Sequence, residues 1–183
     1  MRELALNVLD VAENSLAAGA KLVYIRLDIR PSEDMFTITI EDDGCGMDRN
    51  MLEKVCDPFT TSRTTRSVGL GVPFFKFAAE SAGGTFQISS EQGKGTRVAA
   101  SFRISHIDRM PLGDFGGVIL QLVTMNETVN FYIEVTARNI SGTLDTRIMR
   151  EILGEISFNE PEVRAYLKEY IQENLVSVYG GRL

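Results

Sequence analysis

The chain has 183 residues, 44% of them hydrophobic and 24% charged, which is typical of one globular domain or of one domain with a small second one. Its net charge of −6 argues against a broad nucleic-acid interface, and no apolar run reaches the roughly 18 residues that a membrane span needs. The two cysteines, Cys45 and Cys56, lack zinc-type spacing and no signal peptide precedes them, so we expect reduced thiols in a cytoplasmic protein.

The first predicted element is an amphipathic helix over residues 2–18, with an apolar stripe on one face. A polar stripe on the same helix contains Asp10 and Asn14, which lie one turn apart. An amide oxygen beside a carboxylate suits a hard cation that is shared with phosphates. The same pair would also be ordinary on a solvated helix face, so the metal site and the solvated face both stay open.

Two strands are predicted next, over residues 21–29 and 36–42, and the second ends at Asp42. Gly44 and Gly46 follow and let the backbone turn sharply and approach a flat ring. A carboxylate at this position can accept a hydrogen bond from an exocyclic amine. The alternative is a common Asp-x-Gly-x-Gly turn.

A short helix is predicted from Asp48 to about residue 55, and a loop over 57–68, which has no apolar periodicity. The loop is rich in hydroxyls and guanidinium groups, which suit phosphate oxygens. Its candidate phosphate ligands are Thr60, Thr61 and Arg63. Gly69 and Gly71 then open a helix over 71–82, whose free N–H groups favour anions. A polar surface loop with a glycine hinge is the alternative.

A hairpin is predicted over residues 85–90 and 96–104. The hydroxyl of Thr96, just after the turn, could support Asp42 through water, although a plain hairpin explains the same residues.

The character of the sequence changes after residue 104, so we divide the chain into 1–104 and 105–183. Residues 108–117 are predicted to form a linker. Two strands are predicted after it, over 118–124 and 129–138. Helices are predicted from Asp145 to about 154 and from Asn159 to about 178.

Taken in order, these motifs resemble the ATP-binding domain shared by sensor histidine kinases, Hsp90-type chaperones, type II topoisomerases and MutL-type repair proteins. The resemblance covers roughly residues 3–104. Four segments carry the resemblance, namely 10–20 (DVAENSLAAGA), 41–47 (EDDGCGM), 68–72 (VGLGV) and 93–96 (GKGT). A fifth, 57–61 (DPFTT), is similar to the F box of the kinases.

The resemblance implies an α+β fold, a two-layer sandwich with helices on one face of a mixed, mostly antiparallel sheet. ATP would lie under a lid at 57–70, and a small C-terminal α+β region of unknown role would follow at 105–183.

The resemblance also implies roles for single residues. Asn14 coordinates Mg²⁺ and Asp42 recognises adenine. The base pocket is lined by Gly44, Gly46 and Met47, and the phosphates are bound by a segment that comprises Gly69, Leu70, Gly71 and Val72.

Three departures from the family pattern bear on catalysis. The acidic residue one turn before the asparagine is usually Glu, but here it is the shorter Asp10, with Glu13 as a candidate substitute. The lid lysine is absent, so Arg63 or Arg66 would serve, and Ser67 replaces the first glycine of the 67–71 motif.

The leading hypothesis is a Mg-ATP-binding protein that acts as a regulatory or accessory ATPase module on a protein partner. The alternatives are a protein kinase that phosphorylates a separate protein on His, Ser or Thr, and a nucleotide-gated interaction module without significant turnover. The chain is also similar to short stand-alone ATP-binding proteins of anaerobic bacteria, which implies a hydrogenase or signalling component as partner.

Overall fold

The computed structural model describes residues 3–56, 70–181 and 183. Six strands form one mixed sheet, in the order β3-β4-β2-β1-β5-β6. The strands are β1 (Leu22–Arg30), β2 (Met35–Asp42), β3 (Phe86–Glu91), β4 (Gly95–Arg103), β5 (Asn130–Ala137) and β6 (Ile140–Asp145). All neighbouring pairs are antiparallel except β1 and β5, which are parallel.

Helices cover one face of the sheet. They are α1 (Leu4–Ala17), α2 (Arg49–Lys54), α3 (Gly71–Ser81), α4 (Phe115–Met125), α5 (Thr146–Leu153), α6 (Pro161–Ile171) and α7 (Ser177–Tyr179), with a π-helical stretch, Gln172–Val176, joining the last two. The other sheet face carries polar pairs such as Arg26 and Glu134, whose Nε and Oε2 atoms are 2.6 Å apart. The predicted two-layer α+β sandwich is therefore confirmed.

Alternation along the strands explains this layering, because successive side chains point to opposite faces. In β1 the buried residues are Val23, Ile25, Leu27 and Ile29, while their neighbours are exposed or half-buried. Phe36 and Phe102 stack in the core with ring centroids 4.9 Å apart.

The strand predicted over residues 118–124 is wrong, since this segment lies inside α4. The buried residues Val118, Ile119, Leu122 and Val123 follow the helical period, and the carboxylate of Asp114 accepts a hydrogen bond from the N–H of Gly117 at 2.8 Å. The run of β-branched residues favours a strand locally, but the cap and the buried face determine a helix.

The segment between β4 and α4 is tied to the start of α1. The carbonyls of Pro111 and Leu112 accept hydrogen bonds from the N–H groups of Leu4 and Ala5 at 2.9 and 2.8 Å. Strand β5 lies beside β1, and buried residues of the second half belong to the same hydrophobic core as those of the first. One sheet and one core thus cross the boundary placed at residue 104.

The final helical segment begins at Pro161 rather than at Asn159. Asn159 does not cap it: its side-chain amide donates to the carbonyl of Thr124 at 2.7 Å and to Glu127 at 3.0 Å. No helix in the described part of the chain is both long and apolar enough to cross a lipid bilayer.

Candidate functional site

A pocket of about 110 Å³ lies between the second half of α1, the ends of β2 and β4, and the start of α3. Its wall is mostly apolar, with a few polar groups. The described lining residues are Val11, Asn14, Ser15, Ala17, Ala18, Ile40, Asp42, Cys45, Gly46, Met47, Met51, Val55, Val72, Ile88, Thr96 and Val98. An apolar cleft with few convergent polar groups is the usual form of a small-molecule site.

Asp42 is a polar residue of this pocket whose carboxylate is fixed by two hydrogen bonds. It is only 8% exposed. Its Oδ2 accepts a hydrogen bond from the hydroxyl of Ser15 at 2.6 Å, and its Oδ1 accepts one from the N–H of Gly44 at 2.9 Å. Two donors fix the carboxylate in one orientation, and each oxygen keeps a lone pair for a further donor.

The loop after Asp42 is hydrogen-bonded to the end of α1 on one side and to β3 on the other. The N–H of Cys45 donates to the carbonyl of Ala18 at 2.9 Å, and the N–H of Met47 donates to the hydroxyl of Ser90 at 2.8 Å. Gly46 has φ +63°, and a Cβ there would lie 2.1 Å from the carbonyl oxygen of Glu91. Glycine is therefore required at 46, and the loop forms a rigid edge of the pocket.

Thr96 lies opposite Asp42 in the β2–β4 ladder. Its hydroxyl is 2.9 Å from the hydroxyl of Ser90, which also donates to the carbonyl of Gly95 at 2.9 Å. Thr96 lines the pocket beside the carboxylate, and Ser90 supports its hydroxyl from behind the pocket wall.

The first residue of α3 packs directly against α1 at Asp10. A Cβ on Gly71 would lie 2.7 Å from the Cβ of Asp10. This close approach brings the N–H groups at the start of α3, which favour anions, beside a half-buried carboxylate. Burial raises the pKa of Asp10 above its ordinary value. Leu70, just before the helix, is 46% exposed.

Asn14 is half-buried on the pocket wall, and no described residue hydrogen-bonds to its side-chain amide. Its oxygen is therefore available as a ligand. Within the described ranges no cluster of three or more His, Cys, Asp and Glu residues could hold a metal ion. The donors present, an amide oxygen with a carboxylate one turn away, fit a Mg²⁺ that takes its other ligands from phosphate oxygens and water.

Glu13 is not brought to this pocket. It is exposed and lines a separate depression with Leu9, Leu16 and residues at the end of α4. Of the two carboxylates predicted as candidate bases, only Asp10 lies beside the start of α3.

Several predicted site residues lie outside the described residues. These are Thr60, Thr61, Arg63 and Gly69, together with Arg66 and Ser67.

Two polar residues of this region were missed by sequence reasoning, Ser15 and Ser90, and a third, Asn7, belongs to the predicted polar stripe but is buried. Ser15 is 3% exposed and falls on the core-facing side of α1, and a polar residue at an apolar position was the available signal. Asn7 is fully buried, and among the described residues neither atom of its amide has a hydrogen-bond partner. It continues the polar stripe of Asp10 and Asn14 into the interior.

The first half of the chain matches a known family model, described as histidine kinase-, DNA gyrase B-, and HSP90-like ATPase, over residues 1–106. The chain is similar to the sensor kinase CckA of Brucella abortus, with 37% identity over 81 residues, covering 44% of this chain and 8% of that protein. It is also similar to the signal transduction histidine-protein kinase AtoS of Escherichia coli, with 30% identity over 96 residues, covering 52% of this chain and 15% of that protein. The chain thus spans a small fraction of these curated relatives.

The fold is similar to a solved structure over nearly the whole chain. The crystal structure of the N-terminal domain of a DNA repair protein has a TM-score of 0.56 and 15% identity, covering 98% of this chain and 57% of that one. The similarity in shape therefore includes the residues after 106.

Proposed function

The chain belongs to the family of histidine kinase-, DNA gyrase B- and HSP90-like ATPases, and from this premise we propose that it is a Mg-ATP-binding regulatory or accessory ATPase module that acts on a protein partner. The partner we propose is a hydrogenase or signalling component.

The observation that carries the nucleotide assignment is the fixed carboxylate of Asp42 at the bottom of an apolar pocket. Adenine presents an amine at the position where guanine presents a carbonyl oxygen. Because the carboxylate is an acceptor, it pairs with the amine and repels the carbonyl. We propose that Asp42 reads the adenine edge, with Thr96 supporting it and Gly44, Gly46 and Met47 forming the wall against the ring.

The phosphates would extend from this pocket toward Asn14 and the start of α3. We propose that Asn14 contributes its amide oxygen to Mg²⁺, which supplies charge neutralisation of the phosphates when bound. Leu70, Gly71 and Val72 would present backbone N–H groups to the phosphates. Thr60, Thr61, Arg63 and Gly69 complete the proposed phosphate contacts.

Asp10 is the proposed base that accepts a proton from the attacking water. Its side chain packs against Gly71, the first residue of α3, next to the proposed phosphate contacts. Burial raises the pKa of the carboxylate, which makes it a stronger base. The side chain is one methylene shorter than Glu, so we expect turnover by the chain alone to be slow.

A second candidate function is phosphorylation of a separate protein. It is favoured by the curated relatives, which are named as kinases. The only histidine of the chain, His106, lies in a turn after β4 and not on a helix, so we propose that the phosphoacceptor belongs to another protein.

The discriminating experiment is incubation with ATP labelled at the γ-phosphate, with and without cell lysate. Release of labelled phosphate that depends on Asp10 supports an ATPase. A labelled protein that appears only with lysate supports the kinase. Tight nucleotide binding without either product supports a nucleotide-gated interaction module, and absence of nucleotide binding contradicts all three.

A further inference from the structure

An apolar groove of about 260 Å³ lies between α5 and α6, next to the edge strand β6. Three large side chains of its lining are mostly exposed: Ile148 at 57%, Ile152 at 78% and Tyr166 at 60%. Exposed apolar side chains that share one groove are costly in water, and they mark a surface that another molecule covers.

Both helices present an apolar face to the groove with helical spacing. Ile148 and Ile152 are four residues apart on α5, and Val163, Tyr166 and Tyr170 follow the same period on α6. The groove therefore has the form of a slot between two parallel rows of apolar residues, which suits an apolar stripe on a third helix.

Carboxylates flank the exposed side chains of this slot. Glu151 is three residues beyond Ile148 on α5, Glu155 follows the end of that helix, and Glu162 and Glu169 lie one turn before and after Tyr166 on α6. All four are exposed, and none forms an ion pair with a described residue. The rim of the groove is thus acidic and uncompensated.

Three of the four basic residues of the same helices are engaged within the chain, and the fourth, Lys168, lies two residues from Tyr166 and therefore on another face of α6. Arg147 pairs with Asp145 at 2.6 Å, Arg150 donates to the carbonyl of Val129 at 2.8 Å, and Arg164 donates to the hydroxyl of Thr124 at 3.1 Å. Each guanidinium keeps its positive charge, but none of the three forms an ion pair with a rim glutamate. By helical spacing, the charged side chains next to Tyr166 on α6 are therefore the glutamates.

We propose that this groove binds a basic amphipathic helix of a protein partner, with its apolar stripe between Ile152 and Tyr166 and its Lys or Arg side chains on the flanking glutamates. This rests on the proposed function, because it names the surface through which the accessory module meets its partner. Apolar burial supplies the affinity and the acidic rim selects the charge of the helix.

The groove and the nucleotide pocket can be occupied together. In the sheet order, β6 lies three strands from β2, which ends at Asp42, and neighbouring strands are about 4.8 Å apart. A helix in the groove therefore leaves the adenine pocket free.

The test uses the full chain and two synthetic helical peptides of about 15 residues. Both carry the same leucine stripe, and the flanks are lysine in one and glutamate in the other. Binding is measured by fluorescence anisotropy, and contacted residues are located by amide chemical shifts. We expect the lysine peptide to bind and to shift amides of α5 and α6, and the glutamate peptide to bind much more weakly.

Variants at exposed positions keep the fold intact. The double variant Glu162→Lys with Glu169→Lys should bind the lysine peptide about three- to tenfold more weakly and the glutamate peptide more tightly. The double variant Glu33→Lys with Glu80→Lys makes the same change in net charge outside the groove. It should leave the affinity for both peptides unchanged. Ile152→Ser should weaken binding at least about tenfold. Ile107→Ser, at a residue 94% exposed outside the groove, is the matched control.

Equal binding of the two peptides, no binding of either, or shifts confined to other elements would overturn the assignment. So would a dimer that ultracentrifugation detects and Ile152→Ser abolishes, because the occupant would then be a second copy of the chain. Calorimetry with Mg-ATP on the same wild-type protein separates the two claims. Peptide binding without ATP binding refutes the proposed function and leaves the groove assignment standing.

Discussion

The hydroxyl of Ser15 donates a hydrogen bond of 2.6 Å to Oδ2 of Asp42, joining α1 to the end of β2 across 27 residues of sequence. Both residues are nearly buried, at 3% and 8% exposure. In such surroundings a hydrogen bond to a charged group is stronger than in water. Ser15 therefore orients the carboxylate on which the proposed adenine recognition depends.

Ser15→Ala should weaken ATP binding about ten- to hundredfold, because hydrogen bonds to charged groups contribute about 1.5–3 kcal/mol. Isothermal titration calorimetry with Mg-ATP measures the effect. Ser101→Ala, which removes a hydroxyl bonded to Thr85 at 2.9 Å elsewhere in the sheet, is the control and should leave affinity unchanged. Unaltered ATP affinity in the Ser15 variant would mean that the Gly44 N–H alone positions Asp42.

Asn14→Ala should reduce Mg-ATP affinity about ten- to hundredfold while leaving adenosine affinity nearly unchanged. The reason is that Asn14 is proposed to contact the metal and not the base. Titrations of Mg-ATP and of adenosine, each with and without a chelator, measure the two effects separately. An equal loss for both ligands would show instead that α1 has been disturbed.

Asp10→Asn should abolish most ATP turnover, since general-base catalysis contributes about 10²–10⁴-fold. Glu13→Gln is the matched control and should retain turnover, because Glu13 lines a separate depression toward the end of α4. Phosphate release under saturating ATP measures both. The reverse result, with loss only in the Glu13 variant, would assign the base to Glu13.

The same Asp10→Asn substitution should change how stability depends on pH. Burial raises the pKa of Asp10, so the folded state binds the proton more readily than the unfolded state. Wild-type stability then falls as the pH rises from the unfolded pKa through the folded one. The variant should therefore be more stable than wild type at pH 7, with the advantage shrinking below about pH 4. Urea unfolding at both pH values checks the sign.

Asn7→Leu should raise the free energy of unfolding by about 1–2 kcal/mol. The buried amide of Asn7 has no hydrogen-bond partner in the described part of the chain, and an apolar side chain of similar shape removes that desolvation cost. Asn126→Leu is the control: its amide donates to the carbonyl of Leu122 at 3.0 Å, so its loss should destabilise. Urea unfolding compares them. A destabilised Asn7 variant would reveal a water or other partner on the amide.

Local sequence signals sufficed for much of the fold. The periodicity of α1 and the alternation of β1 and β2 gave their bounds to within a few residues. The strand predicted over 118–124 was wrong because its β-branched run is locally strand-like, whereas the buried face of α4 and the Asp114 cap stabilise a helix. The strand β6 had no recognisable alternation, since only Leu144 in it is buried.

In the candidate site too, residues in local motifs were predicted from the sequence, whereas residues whose contacts depend on tertiary packing were not. Asp42, Asn14 and the glycines were identified because they are motif residues at fixed spacing. The contribution of Ser15 was not, because its partner is 27 residues away and only the pairing of α1 with β2 brings them together. Which of Asp10 and Glu13 faces the start of α3 likewise depends on where α3 and α4 pack around α1.

The central claim is that the carboxylate of Asp42 recognises adenine, and calorimetric titration of wild type and Asp42→Asn with Mg-ATP and Mg-GTP tests it most directly. Asparagine keeps the shape but removes the charge, so the ATP affinity should fall about tenfold or more, and wild type should prefer ATP over GTP by about 1–3 kcal/mol. Equal affinity of wild type for the two nucleotides, or unchanged ATP affinity in a folded Asp42→Asn variant, would contradict the claim.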